Sequence, residues 1–234
     1  MGCVDLHSHF LPGIDDGSKD LDMTRAMLTM CAEQGVDLMC ATPHFYADSM
    51  RLKSFLSRRQ AAYEQTRPVA DELGIDIALG AEVAFFAGMS DADGIETLCY
   101  EGTKTMLVEM PFREWTDKDI REIEKLLRGG IRPVIAHMER FFRFQKGRRL
   151  TDALFDLPVY VQLNAECLLG FMDRLRYMKL FADGRAQLLG SDCHNTTSRS
   201  PNLAQGRAVL EKKFGPEFLE DMDRLARHLT GKDK

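Results

Sequence analysis

Short apolar runs alternate with longer amphipathic stretches seven times along the chain, and this alternation limits the folds that the chain can adopt. The runs have the length of strands and the stretches the length of helices, so the pattern predicts βαβ units and a parallel sheet. The predicted strands are residues 2–6, 37–42, 76–81, 105–110, 131–136, 159–163 and 186–190. The predicted helices lie near residues 20–34, 50–73, 116–128, 148–156, 166–182, 201–213 and 216–230.

The repeated units predict one α/β domain over residues 1–234. No Pro-, Gly- or Ser-rich linker separates them, and α/β barrels of this length routinely form a single unit. Seven units of strand then helix favour a closed or nearly closed β/α barrel, with a doubly wound open sheet as the rival architecture. The final 30 residues carry no motif, and we expect an amphipathic packing helix there.

The composition is that of an ordinary globular protein. The formal net charge of −5 argues against a nucleic-acid-binding protein, which would have a basic surface. Polar or charged residues interrupt every apolar run and nothing resembles a signal peptide, so we expect no membrane insertion. The six cysteines are scattered without a CxxC pair, which is typical of reduced thiols in the cytoplasm.

Residues able to bind metal ions follow the predicted strands at their carboxyl ends. In parallel α/β folds the loops at these ends surround a common mouth, where the functional residues gather. The residues concerned are His7, His9, His44, Glu82, Glu109, His137, Asp192 and His194, with Asn164 and Glu166 after the sixth strand. Five of the six histidines belong to this set, and only His228, in the last predicted helix, does not. Such convergence favours metal ligation over five separate structural roles.

The spacing and chemistry of these residues predict a cluster of cations. His7 and His9 are two residues apart, so their side chains point to the same face of an extended chain, and Asp192 and His194 repeat the spacing. Imidazole and carboxylate without thiolate suit zinc, manganese or iron. The candidates exceed the needs of one ion, so we expect two or three divalent ions. Glu82 is the natural bridge, because its carboxylate has two oxygens.

Several short motifs resemble those of one known family. The stretches DLHSHFLPGIDDGSKD, TPHF, GAEV, LVEMPF, AHMERF and GSDCHN are similar to those of the polymerase-and-histidinol-phosphatase (PHP) superfamily of metal-dependent phosphoesterases. Within it, HSHFLPGIDDG, AHMER and SDCHN resemble the bacterial protein-tyrosine phosphatases encoded with capsule and exopolysaccharide genes. The resemblance runs from residue 5 to about residue 199.

The resemblance implies a distorted seven-stranded β/α barrel of the PHP fold with a trinuclear site, often of manganese and sometimes of iron or zinc. One implied ion is bound by His7, His9, Glu82 and Asp192. A second ion shares Glu82 and is also bound by Glu109 and His137. A third ion is bound by His44, His194 and Asp15, with Asp16 as the alternative to Asp15. Arg140 and Arg199 match the positions that bind phosphate. The implied partner is a phosphotyrosyl protein, the tail of a bacterial tyrosine kinase that controls polysaccharide export.

These residues predict a phosphoric monoester hydrolase that uses direct attack of metal-bound hydroxide, without a covalent intermediate. A phosphate monoester is a dianion, and clustered divalent ions offset its repulsion of hydroxide and lower the pKa of bound water toward roughly 7. Arg140 and Arg199 would hold the non-bridging oxygens. Two basic stretches, residues 51–59 and 140–149, would steer a phosphorylated segment to the mouth, although a solvated helix face is an equal interpretation of the first.

Three other interpretations compete with this one. Residues 193–199, CHNTTSR, match the C-x5-R signature of cysteine-dependent tyrosine phosphatases, in which Cys193 would be the nucleophile and Arg199 the phosphate clamp. However, HNTTS has no glycine for close approach to phosphate, and strand alternation sends Cys193 away from Asp192 and His194. A small-molecule phosphatase such as histidinol phosphatase would keep the metals and change the substrate. In the third interpretation the chain binds metal ions through the same ligands but catalyses no reaction.

The substitution Cys193→Ser separates the cysteine mechanism from the metal mechanism. We expect the variant to retain hydrolysis of a phosphotyrosyl peptide, because its side chain points away from the metal ligands, and chelation of the wild type to abolish hydrolysis. A phosphate-release assay on both proteins measures this. An inactive variant together with a fully active chelated wild type would reverse the assignment.

Overall fold

Strands and helices alternate along the chain in the computed structural model, which describes residues 2–233 except for the side chains of residues 171 and 172. The strands are β1 (Cys3–Ser8), β2 (Val36–Ala41), β3 (His44–Phe45), β4 (Asp76–Leu79), β5 (Glu82–Ala84), β6 (Thr105–Glu109), β7 (Arg132–Ile135), β8 (Tyr160–Asn164) and β9 (Leu188–Gly190). The α-helices are α1 (Leu21–Glu33), α2 (Leu52–Leu73), α3 (Asp117–Arg128), α4 (Arg149–Phe155), α5 (Phe171–Ala182), α6 (Leu203–Phe214) and α7 (Pro216–Leu229). The predicted alternation of strand and helix is confirmed.

Local sequence signals set the helix boundaries. The Asp20 carboxylate accepts the backbone N–H of Met23 at 2.9 Å and caps the start of α1. Thr116 and Asp119 form a capping box at the start of α3. The long helix α2 ends at Gly74, whose φ of 69° is a left-handed conformation that glycine adopts without strain.

The strands pair in parallel, but they form two sheets rather than one seven-stranded barrel. One sheet has six strands in the order β3-β5-β6-β7-β8-β9, and the other has three in the order β1-β2-β4. The six-stranded sheet curls into a half-barrel. The predicted α/β class with a parallel sheet is therefore confirmed. The predicted seven-stranded, closed or nearly closed barrel is wrong, because the curled sheet has six strands and forms only a half-barrel.

Two breaks in the backbone ladder account for the different strand count. Residues 42–43 separate β2 from β3, and Pro43 has no N–H to donate to a neighbouring strand. Residues 80–81 separate β4 from β5. Gly80 lies against the ring of Tyr100, which a Cβ atom at this position would approach to 2.7 Å. At both breaks the chain passes from the three-stranded sheet to the six-stranded sheet.

Backbone hydrogen bonds join the end of β1 to the segment after β9. The His7 carbonyl accepts the N–H of Asp192 at 2.8 Å, and the N–H of His9 donates to the Cys193 carbonyl at 2.9 Å. These bonds connect the two sheets. They also place two segments with predicted metal ligands side by side.

A buried apolar cluster on the strands packs against the last helix. Its members are Val4, Leu6, Leu38, Cys40, Ala78, Tyr100, Leu107, Val134, Ala136, Leu188, Ala226 and Leu229. Ala226 and Leu229 belong to α7, and the other members lie on the strands or in the segments next to them. The end of the chain is thus a packing helix, as the sequence predicted.

Polar contacts tie α7 to the start of β1. The Asp223 carboxylate accepts the backbone N–H of Val4 at 3.0 Å and pairs with the two terminal nitrogens of Arg207 at 2.8 and 2.7 Å. Arg227 donates to the Gly2 carbonyl at 3.1 Å. Val4, Asp223 and Arg227 are all buried, so each polar group depends on its partner for the hydrogen bonds that water would otherwise supply.

None of the helices within residues 2–233 combines the length and the apolar character needed to cross a membrane. The helix α2 is long enough at 22 residues, but charged side chains recur along it.

We expect Asp223→Leu to lower the free energy of unfolding by about 2–4 kcal/mol, because it leaves the Val4 N–H and the Arg207 charge without their acceptor. Asp223→Asn keeps an oxygen for the Val4 N–H and removes only the charge, so we expect roughly half that loss. Urea unfolding followed by circular dichroism measures both variants. Identical midpoints for the wild type and Asp223→Leu would mean that this contact contributes nothing to stability.

Candidate metal centre

The carboxylate of Glu82 lies at the centre of the predicted ligands. Glu82 begins β5 and is fully buried. Its Oε2 atom is 3.2 Å from Nε2 of His7 and 3.2 Å from Nε2 of His9, and it is 2.9 Å from Nδ1 of His44. Its Oε1 atom is 2.7 Å from Nε2 of His137. Residues from several strand ends therefore meet at one side chain.

Some of these closely spaced atoms make no hydrogen bond. Among the described residues, Glu82 Oε2, His44 Nδ1 and His194 Nε2 are buried without a hydrogen-bond partner, although other polar atoms lie near them. Polar atoms lie close together without forming hydrogen bonds when they point toward a common position rather than at each other. A buried polar atom in such a state is costly unless another group, such as a cation, binds it. Imidazole nitrogens and carboxylate oxygens form a donor set that fits divalent metal ions.

Three groups of ligand atoms at the strand ends are compact enough to hold an ion, since the atoms in each group lie within 4.8 Å of one another. They are His7, His9 and Glu82; His44, Glu82 and Glu109; and His9, Asp16, His44 and His194. Two of the groups share Glu82, which agrees with the bridging role predicted for it. His137 lies at the same centre, 3.3 Å from Glu109 through its Nε2 atom.

Asp192 links the predicted ligands to the predicted phosphate-binding arginines. Its Oδ1 atom is 3.6 Å from Nε2 of His7 and 3.5 Å from Nε2 of His9. Arg140 donates to Oδ2 of Asp192 at 2.5 Å, and Arg199 donates to Oδ1 at 2.9 Å. The two guanidinium groups thus lie next to the cluster, with side chains 33% and 34% exposed.

The structure separates the positions of Asp15 and Asp16. The Asp15 carboxylate accepts hydrogen bonds from Nδ1 of His9 at 2.7 Å and from the backbone N–H of His44 at 3.0 Å. Asp16 Oδ1 lies 3.3 Å from Nε2 of His194 and 3.4 Å from Nε2 of His44. These contacts favour the alternative, Asp16, over Asp15 as a ligand of the third ion. Asp15 instead orients His9, because its oxygens are already engaged by N–H donors.

Neighbouring charges hold the central carboxylate ionised. Burial alone would raise the pKa of Glu82, but the imidazoles around it, His7 foremost, keep the pKa well below its usual range. Burial lowers the pKa of His137, whereas Glu109 and Glu82 raise it, and the net pKa is about 10. An ionised carboxylate is the form that binds a cation.

Two predicted ligands have an unusual backbone conformation. Within residues 2–233, His137 and Asp192 are the non-glycine residues with positive φ, at 29° and 53°. Such conformations persist where surrounding contacts enforce them, and they concentrate at functional sites. Each residue follows the end of its strand by two positions, so the sharp change of direction turns the side chain toward the cluster.

Gln162, which was not predicted as a site residue, contacts several of the predicted ligands. This residue is fully buried in β8, and its Oε1 atom accepts from Nδ1 of His7 at 3.1 Å and from the backbone N–H of His137 at 2.8 Å. Its Nε2 atom donates to Asn164 Oδ1 at 2.9 Å, and Asn164 donates in turn to Asp192 Oδ2 at 2.9 Å. These amides leave Nε2 of His7 facing the cluster. The one available signal was a polar side chain within the otherwise apolar run VYVQL.

Cys193 lies away from the cluster. Its thiol is fully buried and belongs to a separate group with Cys31 and Asp5. The flanking residues Asp192 and His194 face the other ligands instead. The C-x5-R segment therefore has no exposed thiol, which argues against the cysteine mechanism.

Some residues of the two basic stretches, 51–59 and 140–149, are engaged within the fold. Arg58 and Arg59, from residues 51–59, donate to backbone carbonyls of neighbouring loops, and Arg59 is buried. Phe141, from residues 140–149, is fully buried in the core. Part of each stretch thus has a structural role.

Two exposed aromatic rings lie beside the cluster and were not predicted. Tyr46 is 42% exposed and stacks on His44, with ring centroids 5.2 Å apart. Phe112 is 44% exposed and stacks on His137, with ring centroids 6.1 Å apart. Large apolar rings at this level of exposure are candidates for contact with a bound molecule.

Comparison with known proteins assigns the chain to a family. The family model described as "Capsular polysaccharide synthesis, CpsB/CapC" matches residues 3–226. The chain belongs to this family. Tyrosine-protein phosphatase CpsB of Streptococcus pneumoniae is 27% identical to it, over 94% of this chain and 94% of CpsB. Tyrosine-protein phosphatase YwqE of Bacillus subtilis is 28% identical, over 97% of this chain and 92% of YwqE.

A solved structure shares the fold. It comes from crystal structures of YwqE from Bacillus subtilis and CpsB from Streptococcus pneumoniae, which are described as unique metal-dependent tyrosine phosphatases. The TM-score is 0.84 at 23% sequence identity, and the match covers 99% of this chain and 95% of the other. The arrangement of strands and helices described above is therefore that of a known fold.

We expect Gln162→Leu to weaken Mn²⁺ binding by roughly 10- to 100-fold, because the ring of His7 and the backbone of His137 lose their common acceptor. Isothermal titration calorimetry of the refolded, chelator-treated protein measures the affinity, and circular dichroism checks the fold. Gln65→Leu, on an exposed face of α2, is the matched control and is expected to bind like the wild type. Unchanged affinity in a folded Gln162→Leu protein would mean that these contacts do not orient the ligands.

Proposed function

We propose that this chain is a metal-dependent phosphatase that hydrolyses phosphotyrosine in proteins. The observation that carries the proposal is the convergence of four imidazoles on Glu82, with Arg140 and Arg199 next to them. Cation ligands beside two guanidinium groups suit a dianionic phosphate. Membership of the CpsB/CapC family, and relatives named tyrosine-protein phosphatase, support the same activity.

We infer that the cluster binds two or three divalent ions, with manganese as the first candidate and iron or zinc as alternatives. The proposed ligand sets are His7, His9, Glu82 and Asp192; Glu82, Glu109 and His137; and His44, His194 and Asp16. Imidazole and carboxylate ligands are compatible with each of these metals. When bound, such ions offset the charge of a phosphate dianion and lower the pKa of water toward roughly 7.

Arg140 and Arg199 are proposed to bind the non-bridging oxygens of the phosphate. Both guanidinium groups contact Asp192, which keeps them at the edge of the cluster. Burial alone would lower the pKa of Arg140, but the Asp192 carboxylate raises it, so the side chain stays charged. A guanidinium has five N–H donors, so each arginine can keep Asp192 and still donate to a phosphate oxygen. The same donors stabilise the charge that develops during hydrolysis.

The tyrosyl leaving group does not require a strong proton donor from the protein. The pKa of a phenol is about 10, so the phenolate leaves without a strong proton donor. The exposed rings of Tyr46 and Phe112 offer apolar walls for the tyrosyl ring. Direct hydrolysis without a covalent enzyme intermediate is favoured, because Cys193 is buried away from the cluster.

The proposed substrate is the tyrosine-rich tail of a bacterial tyrosine kinase that controls polysaccharide export. The description of the family as one of capsular polysaccharide synthesis supports this setting. We further propose that residues 1–234 act as a single domain in the cytoplasm. The free thiols of all six cysteines support that location.

Hydrolysis of a phosphotyrosyl peptide by the manganese-loaded protein tests the proposal. We expect turnover that disappears on chelation and returns on reloading, because the buried ligands cannot activate water without a cation. Histidinol phosphate is the matched small substrate, and we expect its kcat/KM to be at least roughly tenfold lower.

Two results would contradict the proposed function. Equal or faster hydrolysis of histidinol phosphate would favour the small-molecule phosphatase. Absence of any turnover, in protein that elemental analysis shows to carry two or more ions, would favour a non-catalytic metal-binding protein.

A further inference from the structure

A groove lies between α4 and α5, and its lining includes Phe142, which follows Arg140 by two residues in the chain. Its volume is about 500 Å³. Phe142 and Phe155 contribute apolar surface to its lining, and none of the residues that line it is a proposed metal ligand. The proposed phosphatase activity does not use this groove.

Positive charge dominates the lining of the groove. The cations are Arg148, Arg176, Lys179 and Arg185, and the carboxylates are Asp152 and Asp183. Each carboxylate already has a partner, since Arg185 pairs with Asp152 at 2.8 Å and Lys179 with Asp183 at 2.9 Å. In the part of the chain that the structure describes, Arg148 and Arg176 have no carboxylate within ion-pairing distance. The groove thus has a local excess of positive charge on a chain whose net charge is −5.

Aromatic rings hold two of these cations along the groove. The guanidinium carbon of Arg176 lies 4.4 Å from the ring centroid of Phe142, and that of Arg185 lies 5.1 Å from the ring centroid of Phe155. Contact with an aromatic face stabilises a cation without neutralising it. It also restricts the side chain, so less conformational entropy is lost when an anion binds.

We propose that this groove binds an acidic segment of the phosphoprotein substrate, close in sequence to the phosphotyrosine. The proposal rests on the proposed phosphatase activity and adds a docking site to it. Phe142, which lines the groove, is two residues from Arg140 in the chain, so their Cα atoms lie within about 7 Å of each other. The proposed phosphate-binding position and the groove are thus neighbouring features of one segment. The wall formed by α4 is seven residues long, which is about 10 Å or the span of three extended residues.

A peptide segment suits this surface better than a bilayer does. The unpaired cations line a concave groove that an extended chain can enter, whereas a flat layer of lipid headgroups would reach only its rim. Carboxylate side chains match the planar donors of Arg148 and Arg176 in geometry and charge. The occupant is therefore expected to carry several Asp or Glu residues.

Two pairs of phosphotyrosyl peptides test the groove. Each pair has three glutamates or three glutamines at positions three to five from the phosphotyrosine, on its amino-terminal side in one pair and on its carboxyl-terminal side in the other. We expect a KM roughly three- to tenfold lower for the glutamate form in one of the pairs, with kcat unchanged, because the carboxylates pair with Arg148 and Arg176. The double variant Arg148→Gln/Arg176→Gln should remove this difference.

A second double variant controls for general charge effects. Arg67→Gln/Arg128→Gln removes two exposed arginines from α2 and α3 and is expected to behave like the wild type. Equal KM values for glutamate and glutamine peptides in both pairs would overturn the docking proposal. A KM increase shared by both double variants would overturn it as well, since the effect would then be one of net charge.

Further measurements separate this proposal from the proposed function. Hydrolysis of p-nitrophenyl phosphate is expected to be the same in all variants, and its absence in the wild type would count against the phosphatase activity rather than the groove. Fluorescence anisotropy of an unphosphorylated glutamate peptide measures docking without turnover, and we expect weaker binding to Arg148→Gln/Arg176→Gln. If phosphatidylglycerol vesicles bound instead of the peptide, and that binding was lost in the same variant, the groove would be a membrane contact and the proposal would be wrong.

Discussion

The burial of one carboxylate among imidazoles is the constraint on which the rest of the structure depends. An ionised group such as Glu82, removed from water without a partner, would cost more free energy than the net stability of a typical domain. Ring nitrogens from several strand ends surround this side chain, but its Oε2 atom and some of the neighbouring buried atoms make no hydrogen bond. The fold must therefore hold these ends within a few ångströms of one another, and the unsatisfied atoms favour the binding of cations.

The irregular features of the sheet serve this requirement. The break after β2 places His44 at the start of a new strand, and the break after β4 does the same for Glu82. The positive φ values at His137 and Asp192 occur where each side chain must turn toward the same centre. Gln162 then connects the two sheets, because it contacts both His7 in β1 of the three-stranded sheet and His137 just after β7 of the six-stranded sheet.

Much of the candidate site could be predicted because parallel strands deliver their carboxyl ends to one edge, so ligands follow from locating the strands. His7, Glu82 and His194 were predicted as ligands in this way, and the fold brings them close together. The choice between Asp15 and Asp16 could not be made from sequence, since adjacent residues in a loop point in different directions and only the fold shows which one faces His44. Gln162 was missed because an amide within a buried strand resembles any other core residue until its partners are known. The strand count was wrong because two short breaks, at residues 42–43 and 80–81, divide the strands between two sheets, and apolar runs alone do not show such breaks.

The bond between Val4 and Asp223 joins residues 219 positions apart, and it has a consequence for a chain emerging from the ribosome. At roughly 5–20 residues per second, synthesis of the intervening segment takes on the order of 10 to 40 seconds. During that time β1 can pair with β2 along one edge. Its other edge cannot form its hydrogen bonds until the segment after β9 has been synthesised. The strand β1 is translated before β2 to β9 but is among the last of them to be completed, and its open edge is a place where a nascent chain can pair wrongly.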